Sequence, residues 1–152
     1  MKVLFLHGLE SKPGGSKAQA LKEAGFEVLN PALPREPFDI AVKIAQDVIN
    51  YERPSVVVGS SRGGAVAMAV DSMGAQRVLI APAWRKYGVS SKLDSAFVLH
   101  AESDDVVPFE DTQELFRNNV GVTVVACDDD HRMRKEETLC KIVDCVNEII
   151  NK

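Results

Sequence analysis

The stretch Val56-Val57-Val58-Gly59-Ser60-Ser61-Arg62-Gly63-Gly64 decides how this chain is read. Three β-branched residues give a short buried-strand signal, and a Gly-x-Ser-x-Gly frame follows at once. A helical pattern begins directly after it. In that setting the frame is a nucleophile elbow: the serine sits on a strained strand-to-helix turn with its hydroxyl pushed out above the sheet. Gly59 lies two residues before Ser61 and Gly63 two after, so the frame selects Ser61 and not Ser60. A side chain at either glycine would collide with the tight turn. Three such fixed positions coincide by chance in roughly 4% of chains of this length. The strand before and the helix after therefore carry the reading. The plain alternative is an ordinary glycine-rich loop of a Rossmann-like fold.

Apolar β-rich runs alternate with helical patterns along the whole chain. Strands are expected at Val3–Leu6, Phe26–Asn30, Ser55–Ser60, Arg77–Ala81, Ala96–Ala101 and Val122–Cys127. Helices are expected at Ser16–Ala24, Asp39–Tyr51, Arg62–Met73, Pro108–Asn118 and Lys135–Asn151. Ser16, after Gly14-Gly15, reads as a helix N-cap. Pro108 suits a first helical turn. Asn118-Asn119 with Gly121 reads as a stop. Short, nearly unbroken apolar strands separated by helices imply a parallel sheet covered on both faces. No repeat, low-complexity stretch or linker divides the chain, so residues 1–152 read as one domain. In such sheets the ligand site lies beyond the carboxyl ends of the strands. Ser61, Asp104 and His131 all follow strand ends.

Composition narrows the class. Hydrophobic content of 45% and charged content of 26% are those of an ordinary soluble globular protein. A net charge of −4, with no basic stripe, excludes a general nucleic-acid binder. No apolar run approaches the roughly 20 residues of a membrane span. The opening Met1-Lys2-Val3-Leu4-Phe5-Leu6 is too short an apolar run for a signal peptide and reads as a first core strand. Cys127, Cys140 and Cys145 are odd in number and lack metal-ligand spacing. They read as buried reduced thiols, which fits a cytoplasmic protein.

A serine hydroxyl needs an adjacent base, and the base needs an orienting acid. Of His7, His100 and His131, only His131 lies after Ser61 in a loop past a strand end. His100 ends a strand, where it is expected to point into structure and satisfy backbone carbonyls. The segment His100-Ala101-Glu102-Ser103-Asp104-Asp105-Val106-Val107-Pro108 offers three acids, of which one could simply cap the following helix. Asp128, Asp129 and Asp130 adjoin His131 in sequence, and chain neighbours usually point apart. For the oxyanion, the backbone N–H of Arg62 is one expected donor, and that of Leu9, after the first strand, the other.

Together these residues resemble the α/β-hydrolase superfamily, and within it small, lidless, esterase-like members. His7-Gly8-Leu9 looks like the oxyanion loop, and Gly59-Ser60-Ser61-Arg62-Gly63-Gly64 looks like the elbow. The segment from His100 is similar to a His-Gly-x-x-Asp-x-x-Val-Pro pattern, which places the acid at Asp104. His131 then matches the late histidine. The resemblance implies a minimal three-layer sandwich around a six-stranded parallel sheet, its first three strands ordered 2-1-3, with no cap domain. Two departures stand out: Ala101 where glycine is usual, and Arg62 where a hydrophobic residue is common. Arg62 either aims a positive charge at the pocket, favouring an anionic substrate, or turns to solvent. Trp84 and Tyr87 either wall the site or pack on the core.

The leading functional expectation is a serine hydrolase of small carboxylic esters or thioesters, with catalytic Ser61, Asp104 and His131 and oxyanion donors Leu9 and Arg62. Arg62, Trp84 and Tyr87 are candidates for substrate binding. Neither metal nor organic cofactor is expected. The expected partner is a small acyl substrate, and the chain is a monomer or homodimer. A small serine peptidase or amidase uses the same triad. A non-catalytic binding protein retaining the fold is a reading from another class. A flavodoxin-like nucleotide binder is a third, but Gly8 to Ser16 lacks a Walker or dinucleotide spacing.

Overall fold

A computed structural model describes all of residues 1–152. The chain runs β1 (Lys2–Leu6), α1 (Ser16–Glu23), β2 (Glu27–Leu29), α2 (Phe38–Glu52), β3 (Val56–Ser60), α3 (Arg62–Ala69), β4 (Gln76–Ile80), β5 (Ala96–Ala101), α4 (Phe109–Asn118), β6 (Val122–Cys127) and α5 (Glu136–Ile150). Six strands form one sheet in the order β2-β1-β3-β4-β5-β6, and every pairing is parallel. The strand order starts 2-1-3 and proceeds outward, as the resemblance implies.

The pleat explains the two cores. Alternate strand residues point to opposite faces. Leu4, Leu6, Val57, Leu79 and Val98 meet Ala45 and Ile49 of α2, Val66 of α3 and Leu115 of α4. Val3, Phe5, Val58, Val78 and Leu99 meet Leu21 of α1 and Ile142 and Val146 of α5. Both faces are covered, so interior strands need no polar face, and all of β3 is buried. Full burial of each large aliphatic side chain contributes about 1.5–3 kcal/mol.

α3 lies at the centre of its layer, with every residue but Ala69 buried. Hence its sequence is apolar nearly all round instead of striped. It ends at Ala69, four residues short of the expected Met73, because Val70 is extended (φ −78°, ψ 156°) and 4% exposed. The Arg77 side chain closes the helix end by donating to the Ala67 and Val70 carbonyls at 2.7 Å each. The N-cap of α1 is Gly15 and not the expected Ser16. Residues 82–95 hold turns only, with no helix and no cap layer.

Cys127 and Cys145 are buried, but Cys140 is exposed, against expectation, on the outer side of α5. Burial pushes the Cys145 thiol up to about 12. No helix is long and apolar enough to cross a membrane.

Candidate active site

The site is built at the carboxyl ends of β1, β3, β5 and β6. Register across the sheet brings the ends level: Leu6 pairs with Gly59, Ser60 with Ile80, and Ala101 with Cys127. At the end of β3 the backbone of Ser61 turns to φ 55°, ψ −114°. A non-glycine residue pays roughly 1–3 kcal/mol for such a conformation, so packing must impose it. Two glycines supply the space. A Cβ on Gly59 would sit 2.3 Å from the Gly63 carbonyl oxygen, and one on Gly63 would sit 2.1 Å from the Leu6 oxygen. Close backbone approach, not a positive φ, is what these positions require. The Ser61 N–H donates to Ile80 O at 2.8 Å, which pins the turn to β4.

Ser61 Oγ lies 2.9 Å from His131 Nε2, and His131 Nδ1 lies 2.7 Å from Asp104 Oδ2. The carboxylate fixes the ring's tautomer: Nδ1–H donates to Asp104, which leaves Nε2 as acceptor for the Ser61 hydroxyl. The Asp104 side chain is fully shielded from solvent. Its Oδ1 accepts the Val106 and Val107 N–H groups at 2.8 Å each. Its Oδ2 also accepts from His100 Nε2 at 3.2 Å. Burial alone would raise the Asp104 carboxyl. The His131 hydrogen bond and the two backbone donors outweigh it and hold the group below the ordinary carboxylate range. Glu102 and Asp105, the other acids of this loop, are exposed.

His100 points inward, as expected, and is fully buried. Its Nε2–H is shared between Val107 O at 3.0 Å and Asp104, while Nδ1 accepts from the Thr112 hydroxyl at 2.5 Å. Burial lowers its proton affinity, so it stands as a neutral donor behind the acid. The acids beside His131 do other work. Asp129 is buried and accepts from Thr138 Oγ1 at 2.6 Å, Lys135 N at 3.0 Å and Asp130 N at 2.7 Å. It thereby ties the loop to Lys135 and Thr138 at the start of α5. Met133, with no exposure, anchors the other side of His131 in the core. Ser103 Oγ donates to Asp129 O at 3.3 Å, tying the acid loop to the base loop.

The loop after β1 comes close to the elbow. A Cβ on Gly8 would lie 3.4 Å from Ser60 O and 3.6 Å from Ser61 Cβ. His7 clamps this loop: Nδ1–H donates to Gly8 O at 2.8 Å, and Nε2 accepts the Leu33 N–H at 3.0 Å. The Leu9 N–H makes no hydrogen bond within the protein. The Arg62 N–H is the first of α3 and has no intrahelical acceptor by position. Both residues line the cleft over Ser61.

That cleft has a volume of about 920 Å³, and Ser61, His131, Leu9, Arg62 and Tyr87 are among its walls. It falls within the usual size range of small-molecule sites. Trp84 is not among its walls. It is 5% exposed within the core under α2 and α3, which corrects its candidacy for substrate binding. Tyr87 does line the cleft, stacked on Phe38 with ring centroids 4.8 Å apart. Arg62 is 2% exposed, so it does not turn to solvent. No three His, Cys, Asp or Glu side chains converge to hold a metal ion.

Two supporting residues escaped the sequence reading. His7 shows in the sequence only as part of a loop, since its clamp partner Leu33 lies on an irregular stretch without signal. The His100–Asp104 contact had a faint one, the spacing of four residues, but the turn that closes it is irregular.

A model of the Uncharacterised protein family (UPF0227) matches residues 2–95. No curated protein matches the chain. Among solved structures, alpha/beta hydrolase domain-containing protein 10 from mouse superposes with a TM-score of 0.82 at 16% identity, covering 99% of this chain and 89% of that one. Est1E from Butyrivibrio proteoclasticus gives 0.83 at 14% identity, with 99% and 88% covered. The Paleococcus ferrophilus monoacylglycerol lipase gives 0.77 at 15% identity, with 97% and 94% covered. At these identities the likeness is one of fold, and that fold is the α/β-hydrolase fold.

Proposed function

The chain belongs to the Uncharacterised protein family (UPF0227), and from its fold and its site we propose that it is a serine hydrolase of small carboxylic esters or thioesters. The observation that carries this reading is the pair of contacts, 2.9 Å from Ser61 Oγ to His131 Nε2 and 2.7 Å from His131 Nδ1 to Asp104 Oδ2.

Ser61 Oγ attacks the substrate carbonyl carbon while its proton passes to His131 Nε2. Asp104 stabilises the resulting imidazolium through the Nδ1–H bond. The carbonyl oxygen becomes an oxyanion and accepts from the Leu9 and Arg62 N–H groups, each such donor being worth about 10²–10³ in rate. The carbon–oxygen or carbon–sulfur bond breaks, and the leaving group departs with the proton from His131. Water, deprotonated by His131, then attacks the acyl-Ser61 ester. The acid leaves, and Ser61 regains its proton.

The test is covalent labelling with a fluorophosphonate, with p-nitrophenyl butyrate turnover alongside. Labelling of the wild type, none of Ser61→Ala, and a fall in turnover by several orders of magnitude are expected. Equal labelling of both proteins overturns the assignment. An aminoacyl amide panel beside the ester separates esterase from amidase action, and the open, capless cleft favours short acyl groups.

A further inference from the structure

Two arginines are buried, and one of them is accounted for. Arg77, 8% exposed, spends its Nε and Nη2 on the carbonyls that end α3. Arg62, 2% exposed, has no such partners: its Nε and Nη2 are buried without any acceptor. Asp111, a carboxylate on the cleft wall, is committed to Arg85 at 3.0 Å. A guanidinium is always protonated, and burying it unpaired is strongly unfavourable.

The surroundings offset part of that cost and leave the rest for a ligand. The Arg62 Cζ lies 5.7 Å from the centroids of both the Phe38 and Tyr87 rings. Rings attract the cation but satisfy none of its in-plane N–H donors. The stacked pair therefore holds the guanidinium in place with its Nε and Nη2 buried and unpaired. Arg62 lines the cleft and adjoins Ser61 in the chain, and the cleft's cations, Lys12, Lys17, Lys86, Arg132 and Arg134 with Arg62, outnumber its acids, Glu10, Asp105, Asp111 and Asp130. A planar fork of free donors matches a carboxylate.

We propose that the Arg62 guanidinium, held by Phe38 and Tyr87, anchors a carboxylate of the substrate, so that this site prefers esters or thioesters bearing a free carboxylate. The inference rests on the hydrolase reading for its reaction, but not for its binding test. Three esters are compared: p-nitrophenyl butyrate, p-nitrophenyl hemiglutarate with the carboxylate on the acyl group, and 4-carboxyphenyl butyrate with it on the leaving group. In Arg62→Met, kcat/KM for one carboxylated ester is expected to fall roughly 10- to 100-fold relative to p-nitrophenyl butyrate, chiefly through KM. Which ester responds tells the acyl side from the leaving-group side. Arg62→Lys, which keeps the charge and loses the fork, should recover part of the ratio, and it substitutes for the Met variant should that one not fold. An equal change for all three esters overturns the proposal. Calorimetric titration of Ser61→Ala with the two carboxylated esters needs no turnover. Saturable binding of one of them, weakened at least tenfold by adding Arg62→Lys, is expected. Binding of neither, or binding indifferent to residue 62, sinks the anchor even if hydrolysis stands. Binding intact in a protein that hydrolyses nothing keeps the anchor and sinks the hydrolase.

Discussion

Replacing Asp104 by Asn separates what this carboxylate does for the fold from what it does for the base. Four N–H donors converge on its two oxygens: Val106 and Val107 at 2.8 Å on Oδ1, His131 at 2.7 Å and His100 at 3.2 Å on Oδ2. An amide offers one oxygen and one NH₂. With its oxygen toward the histidines, the NH₂ faces two backbone donors that lose their acceptor, at about 1–3 kcal/mol each. With its oxygen toward the backbone, His100 keeps Val107 O, and His131 need only move its proton from Nδ1 to Nε2. The second arrangement is cheaper by several kcal/mol in this count, and it is the one that disarms the base. Asp104→Asn should therefore cost little stability, a few degrees in Tm, and lower kcat about 10⁴-fold, as a wrong tautomer does in such triads. The pH dependence has a definite sign. The native carboxyl titrates below its ordinary value of 3.8, so its stabilising effect is complete above the ordinary carboxylate range and fades as pH falls below it. The Tm gap between wild type and variant should be constant near neutrality and close in acid. The assays are p-nitrophenyl ester turnover and thermal melts followed by circular dichroism. A folded variant retaining activity within threefold of wild type, or one that loses most of its stability and keeps its turnover, would refute this reasoning.

Gly63→Ala places a methyl carbon 2.1 Å from the Leu6 carbonyl oxygen and 2.7 Å from that of His7, both backbone atoms that cannot step aside. A loss above about 3 kcal/mol is expected in urea titration, and a midpoint equal to wild type contradicts it. Iodoacetamide should modify the exposed Cys140 of native protein and leave Cys127 and Cys145 untouched until unfolding, read by intact mass. Two or more adducts on native protein would argue against their burial.

Much of this architecture is legible in local pattern. The bounds of β5 and β6 follow from sequence to the residue, because their apolar runs are bounded by turn-forming neighbours. The elbow was legible because its requirement, no Cβ at Gly59 or Gly63, is written in residue type. What failed depended on distant groups. The stretch Arg62 to Met73 looks helical throughout, yet the Arg77 side chain takes the Ala67 and Val70 carbonyls where the helix stops. Ser16 and Gly15 compete for one cap position, and nothing in their order decides which wins. Trp84 and Tyr87 lie three apart in one irregular loop. Trp84 sinks into the core, whereas Tyr87 stacks on Phe38 at the start of α2, a meeting between segments about fifty residues apart. The direction of Arg62 follows from that same meeting and was open for the same reason.

The burial of α3 has a consequence for how the molecule comes apart. The backbone of Ser61 is held in its unfavourable conformation by a helix packed on β3 and β4 and flanked by α2. No peripheral loosening relieves it; the centre must be dismantled. Fraying of the β2 rim leaves the hydroxyl poised, because none of Ser61, Asp104 and His131 follows that strand. The opposite rim differs: β6 is also an edge strand and His131 follows it, so local opening there takes the base away while the elbow still stands.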